Sequence, residues 1–130
     1  MRAVDTNILV RWITRDDDRR SLVADTVMRE PVMISLTVLI ELVWVLGGRK
    51  YGLARGAIVE ILREVMKTDT ITIERHAGVS WCVDRYAQGA DFADMIHLIA
   101  ARGATGFVTF EYDLADDAGV ASPLPIETLA

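Results

Sequence analysis

The sequence predicts an α/β fold with parallel strands. Short apolar runs alternate with segments of helical periodicity along the whole chain, which is the pattern that βαβ units produce. Hydrophobic residues make up 52% of the 130 residues, enough to bury the core of one domain. The single cysteine, Cys82, excludes an internal disulfide framework and is expected in the core. We therefore predict one domain over residues 1–130.

Five short runs are predicted as strands because they are apolar or β-branched and end at turn or capping residues. In chain order these strands are residues 2–5, 32–35, 70–73, 106–110 and 124–126. The last is predicted at a sheet edge, because Pro123 and Pro125 cannot donate hydrogen bonds to a neighbouring strand.

Segments with apolar residues three or four positions apart are predicted as helices. In chain order these helices are residues 8–12, 18–29, 37–46, 51–66, 77–86 and 91–102. No apolar stretch is long enough to span a bilayer, and the first residues do not resemble a secretory leader. We therefore expect a cytoplasmic protein that does not insert into membranes.

The third predicted helix carries a single charged residue, Glu41, with apolar residues on almost every side. A helix that is apolar all round is buried, so we expect Glu41 to face a metal ion or a wet cleft. A salt bridge to an arginine is the alternative. Trp44 on the same helix is expected to pack in the core.

The net charge of −5 counts against broad electrostatic binding of nucleic acid. It does not exclude a nuclease, because phosphate chemistry can use metal ions held by acidic side chains. The basic residues form two local groups, either of which could contact a phosphate backbone or simply cover a solvated helix face. These groups are Arg11, Arg15, Arg19 and Arg20, and then Arg49, Lys50 and Arg55.

Acidic residues follow two of the predicted strands. Asp5 ends the first strand, and Glu111 and Asp113 come directly after the fourth. Ligands of open parallel sheets bind at the carboxyl ends of strands, so these positions are candidates for a site. Asp5 could instead cap the next helix, although Thr6 and Asn7 are also capping types.

Asp91 and Asp94 begin the last predicted helix. Their spacing of three residues places both carboxylates on one helix face. The alternative is a capping arrangement, with Asp91 as the N-cap and Asp94 three residues later. Together with Asp5 and Glu41, these acids form a set of hard oxygen donors that suits Mg²⁺ or Mn²⁺. One cysteine and two histidines without ligand spacing do not suit zinc.

Four segments of the chain resemble the motifs of PIN-domain ribonucleases, specifically the VapC-type toxins of VapBC toxin–antitoxin systems. The segments occur in the family order and cover residues 4–9, 37–42, 91–97 and 108–114. The resemblance implies a three-layer α/β/α PIN-like fold with a central parallel sheet. It also implies Mg²⁺- or Mn²⁺-dependent endoribonuclease activity, an RNA substrate, a homodimer and a cognate antitoxin whose C-terminal segment covers the acidic cleft.

The resemblance also implies roles for individual residues. Asp5, Glu41 and Asp94 would be the central acids, and Asp5 and Asp94 the direct metal ligands. Asp91 would lie beside them. Side chains that would orient carboxylates or water through hydrogen bonds are Thr6, Asn7 and Thr109.

The fourth motif departs from the family pattern. Glu111 stands where the family has Asp, and Asp113, two residues later, could replace it as the fourth acid. Two other functions remain open. An aspartate-nucleophile phosphatase would use Asp5, but Asn7 stands where a second Asp is needed. A non-catalytic PIN-like or receiver-like module would keep the acids for a structural ion or for arginines of a partner.

Overall fold

Parallel strands and helices alternate along the chain in a computed structural model that describes all of residues 1–130. The chain forms two compact units, Met1–His76 and Ala77–Ala130. The α/β class and the parallel strand direction are confirmed in both units. No helix has the length and apolar character needed to cross a membrane.

The first unit contains a three-stranded parallel sheet in the order β1-β2-β3. Its strands are β1 (Arg2–Ala3), β2 (Val32–Ile34) and β3 (Ile71–Ile73). The central strand is the most enclosed, with Val32 and Ile34 fully buried. Parallel strands buried on both faces read as continuous apolar runs, which is why these segments stand out in the sequence.

Four helices complete the first unit, and they are α1 (Thr6–Thr14), α2 (Asp18–Met28), α3 (Leu36–Gly47) and α4 (Arg55–Lys67). Side-chain oxygens of Asp5, Asp17 and Ser35 cap the first three helices. The predicted start of the fourth helix at residue 51 is wrong. Gly52 has a positive φ of 57°, and its amide donates to the Gly48 carbonyl at 2.7 Å, so a turn precedes α4.

The apolar helix α3 has one buried face and one exposed face. Its buried residues are four leucines, Leu36, Leu39, Leu42 and Leu46, spaced three or four positions apart. Trp44 is 77% exposed and Glu41 is exposed. The expectations that Trp44 packs in the core and that this helix is buried on all sides are therefore wrong. Apolar composition alone does not show burial, because much of any protein surface is apolar.

The second unit contains a parallel pair of strands, β4 (Phe107–Thr109) and β5 (Ile126–Thr128). The last strand begins two residues later than predicted, and the Pro125 carbonyl before it accepts from the Phe107 amide at 2.8 Å. The helices of this region are α5 (His76–Ala87), α6 (Phe92–Ala100) and α7 (Leu114–Ala118). Helix α7 was not predicted, because five residues are too few to show a helical period.

Cys82 lies fully buried in α5, as predicted. Burial raises the pKa of its thiol to about 12. The thiol is therefore protonated at neutral pH and is not a nucleophile.

Gly119 ends α7 in a conformation that favours glycine, with φ 74° and ψ −169°. A Cβ there would also lie 3.1 Å from Cζ of Arg85. We expect Gly119→Ala to lower the free energy of unfolding by about 1–3 kcal/mol, measured by urea denaturation. Gly56→Ala is the matched control, because a Cβ at Gly56 in α4 meets nothing within 4 Å. The control should be neutral or stabilising by up to about 1 kcal/mol. Equal effects of the two substitutions would contradict this account.

Candidate active site

Asp5 lies just beyond β1 and begins α1. Its Oδ1 accepts from the Ile8 amide at 3.2 Å, so Asp5 is the N-cap of the helix. The Val4 amide donates to the Met33 carbonyl at 3.2 Å, which extends the pairing with β2 up to this point. The capping alternative is therefore realised. It occupies one carboxylate oxygen, and the exposed side chain leaves the second oxygen available to a ligand.

Thr6 follows with a side chain that is only 4% exposed. Its Oγ1 is buried and has no hydrogen-bond partner. An unpaired buried hydroxyl is unfavourable by about 1–3 kcal/mol, and such groups in native proteins call for a water, an ion or another ligand. Asn7 is exposed next to it and lines a groove between α1 and α2. This turn therefore presents one carboxylate oxygen, one unpaired hydroxyl and one amide.

Glu41 lies exposed on α3 and forms neither a hydrogen bond nor an ion pair. The alternative of a salt bridge to an arginine is therefore not observed. Apolar neighbours in the sequence do not enclose Glu41 in the structure. Its assignment as a central acid depends on the PIN-like motif alone.

Asp91 and Asp94 have different roles at the start of α6. Asp91 is the N-cap, and its Oδ1 accepts from the Asp94 amide at 2.9 Å. The Asp94 carboxylate is partly buried and makes no hydrogen bond or ion pair, so it does not complete a capping box. Capping therefore explains Asp91 fully and leaves Asp94 unexplained.

The surroundings of Asp94 disfavour its negative charge. Burial raises the pKa of the Asp94 carboxyl, and the charge of Asp91 raises it further. Glu111 and Asp117 add to the same effect, whereas His97 opposes it. A carboxylate among like charges is stabilised when a cation enters. Asp94 is therefore the acid in the second unit that the fold leaves most in need of a positive partner.

The segment after β4 carries Glu111 and Asp113, which differ in their effect on the pKa of Asp94. Thr109 Oγ1 accepts from the Glu111 amide at 2.9 Å, so the hydroxyl fixes the backbone turn that carries Glu111. Asp113 stands at the start of α7 without a side-chain capping bond. Both acids are exposed, but only the charge of Glu111 contributes to the raised pKa of Asp94.

Asp117 is a candidate residue that the sequence did not reveal. The sequence favours a solvent-facing side chain for Asp117. In the structure the side chain is partly buried, and its charge raises the pKa of Asp94. Arg85 holds the end of α7 by donating from Nε to the Asp117 carbonyl at 2.7 Å and from Nη2 to the Asp116 carbonyl at 3.3 Å. The spacing of Leu114 and Ala118, both buried, is the one signal in the sequence for this short helix.

The donor chemistry in both units fits a hard divalent cation, because it consists of carboxylate oxygens. In neither unit do three or more His, Cys, Asp or Glu side chains lie close enough together to hold a metal ion. Asp94 without a partner and Thr6 with an unpaired hydroxyl are the two observations that indicate ligand binding.

Comparison with known protein families gives one match. The model of the PIN domain family matches residues 2–119, which includes most of both units. No curated protein and no solved structure was found to match the chain significantly. The match confirms the predicted PIN-like α/β fold class. It covers most of the chain, which therefore belongs to the PIN domain family of nuclease-type domains.

Proposed function

We propose that the protein is a Mg²⁺- or Mn²⁺-dependent endoribonuclease that acts as the toxin of a type II toxin–antitoxin pair. The observation that carries the proposal is the Asp94 carboxylate, which is partly buried, has no partner and is surrounded by negative charge. Helix capping explains Asp91 fully and Asp5 in part, but no structural role explains Asp94. Within a nuclease-type domain, binding a divalent cation is the function that accounts for it.

Asp5 and Asp94 are the proposed direct ligands, as the family motifs imply. When bound, the metal ion lowers the pKa of a coordinated water and neutralises charge on the phosphate oxygens. Asp91 keeps the first turn of α6 in place by accepting from the Asp94 amide. Thr109 holds the turn that carries Glu111, and the Thr6 hydroxyl is free to hydrogen-bond a water or a carboxylate.

The proposed activity is tested by incubating the purified protein with total RNA, including tRNA. We expect internal cleavage in Mg²⁺ or Mn²⁺, none in excess chelator, and recovery when the metal is added back. DNA of matched sequence is the control for RNA specificity. A folded, metal-loaded preparation that cuts no RNA would contradict the proposal and favour a non-catalytic PIN-like module.

The toxin role, the homodimer and the antitoxin partner are proposed from the family resemblance of the four motifs. The toxin role and the antitoxin partner are tested by identifying the gene next to this one. A short adjacent reading frame encoding a DNA-binding protein that blocks cleavage would support the toxin role. Cleavage unaffected by any neighbouring gene product would instead favour a housekeeping nuclease.

A further inference from the structure

Positive and negative charge are divided unequally between the two units. The first unit has twelve Arg and Lys against eleven Asp and Glu, and the second has two against eight. Their formal charges are therefore +1 and −6, so the acidic total of −5 comes from the second unit. The first unit therefore carries no excess of negative charge that would oppose nucleic-acid binding.

A groove of about 560 Å³ lies between α1 and α2 in the first unit. Three arginines line it, namely Arg11, Arg19 and Arg20, together with Asn7 and one carboxylate, Asp17. Asp17 is already engaged, because it caps α2 by accepting from the Arg20 amide at 2.9 Å. The groove therefore has an excess of positive charge and a volume within the usual range of ligand sites, about 300–1,000 Å³.

Arg11 is held in place inside this groove. Its Nη1 donates to both carboxylate oxygens of Asp16 at 2.8 and 2.9 Å. Tyr51 and Lys50 also contact Asp16, at 2.6 and 3.3 Å, and these bonds keep the pKa of Asp16 well below its usual range. The Arg11 Nε is nevertheless buried without a hydrogen-bond partner. One donor of a fixed guanidinium therefore remains unused.

The other two arginines are exposed donors. Arg19 is exposed and forms no ion pair, and Arg20 reaches Asp17 only at 3.9 Å. Arginine presents its donors in a planar fork that suits phosphate oxygens. One ion-paired and two exposed guanidinium groups along a groove match a chain of phosphates better than a single compact anion.

The position of the groove points to the substrate. Asn7, two residues after Asp5, lines the groove. Ile8 lines it as well, and the Ile8 amide donates a hydrogen bond to the Asp5 carboxylate. We propose that this groove binds the sugar-phosphate backbone of the RNA substrate on the Asp5 side of the active site. This inference rests on the proposed nuclease function. An acidic protein segment is the other possible occupant, and the test below distinguishes it.

The test compares Arg19→Ala/Arg20→Ala with the charge-matched control Arg29→Ala/Lys67→Ala, whose residues are exposed and do not line the groove. Binding of a fluorescent single-stranded RNA is measured in chelator, so that cleavage plays no part. We expect the groove variant to bind at least about 10-fold more weakly at low salt. The slope of log K against log salt concentration should decrease in magnitude by about 1.4, because two phosphate contacts to a single strand are lost. In the presence of Mg²⁺ or Mn²⁺, the KM of the groove variant for RNA should rise with little change in kcat.

Each outcome separates this inference from the proposed function. The groove assignment alone would be overturned if wild-type protein cuts RNA but the groove variant matches the control in RNA affinity, salt dependence and KM. A variant that keeps RNA affinity but loses affinity for a polyglutamate peptide would assign the groove to an acidic protein instead. The single variant Arg19→Gln provides a second test if the double variant does not fold, because Arg19 supports no ion pair.

Discussion

Asp94→Asn should abolish RNA cleavage and, at the same time, make the metal-free protein more stable at neutral pH. The loss of activity should be at least about 100-fold, because even residues that only support metal ligands cost about 10–100-fold. The gain in stability follows from the surroundings of the carboxylate. Burial and the charge of Asp91 raise the pKa of Asp94 in the folded protein.

The pH dependence of this gain has a defined sign. The carboxyl of an unfolded chain has a pKa of about 3.9, and the folded value for Asp94 lies above it. Between these two values the folded state holds more protons, so the free energy of unfolding falls as pH rises through this window. Asparagine has no proton to lose. The variant should therefore have a higher melting temperature than wild type at pH 7, and this difference should disappear below about pH 4.

Metal should reverse the order of stability. Wild type should gain about 1.4 kcal/mol at a free metal concentration ten times Kd, whereas Asp94→Asn should gain much less. The measurement is thermal unfolding in chelator and in Mn²⁺ across this pH range. Asp116→Asn is the control, because Asp116 is exposed and does not contribute to the raised pKa of Asp94. A variant that is less stable than wild type in chelator at pH 7 would show that Asp94 has a structural role.

The same measurements can identify the fourth acid. Glu111→Gln should lower the pKa of Asp94 and raise the stability of the metal-free protein slightly, because the Glu111 charge acts on Asp94. Asp113→Asn should do neither. These residues stand two positions apart, and the sequence alone did not choose between them.

Much of the fold was predictable because hydrophobic periodicity is a local property of the sequence. The strands at Val32–Ile34 and Ile71–Ile73 and the helix Asp18–Met28 lie within one or two residues of their predicted bounds. The turn at Gly52 and the short helix Leu114–Ala118 depend on backbone conformation and on tertiary contacts such as those of Arg85. Periodicity carries no information about either.

The sequence proposes the residues of the candidate site but does not predict their surroundings. Motif order and spacing singled out Asp5, Glu41, Asp91 and Asp94. Glu41 was expected to face a metal ion or a wet cleft because its sequence neighbours are apolar, yet it is exposed on the helix surface. The spacing of Asp91 and Asp94 left a capping role open for both, yet Asp91 alone supplies the cap. Burial and hydrogen-bond partners decide these cases, and both are three-dimensional properties.

The two faces of α3 lead to the largest expected effect on stability. Leu42 is fully buried, and Leu42→Ala should lower the free energy of unfolding by about 2–5 kcal/mol, because it leaves a cavity in a close-packed core. Trp44 stands two residues later and is 77% exposed. Trp44→Ala removes a larger side chain but should change stability by less than about 0.5 kcal/mol.

The comparison tests burial against residue type, because composition alone ranks tryptophan as the more costly loss. Both variants are measured by urea denaturation, and a shift in midpoint at constant m indicates a change in stability. Two protein concentrations are needed, since a tryptophan buried between copies of the chain would give a cost that grows with concentration. A concentration-independent loss at Trp44 as large as that at Leu42 would mean that α3 is buried on both faces. Glu41 stands one turn before Trp44 and is exposed with it, so that result would also restore the enclosed position that the sequence suggested for this acid.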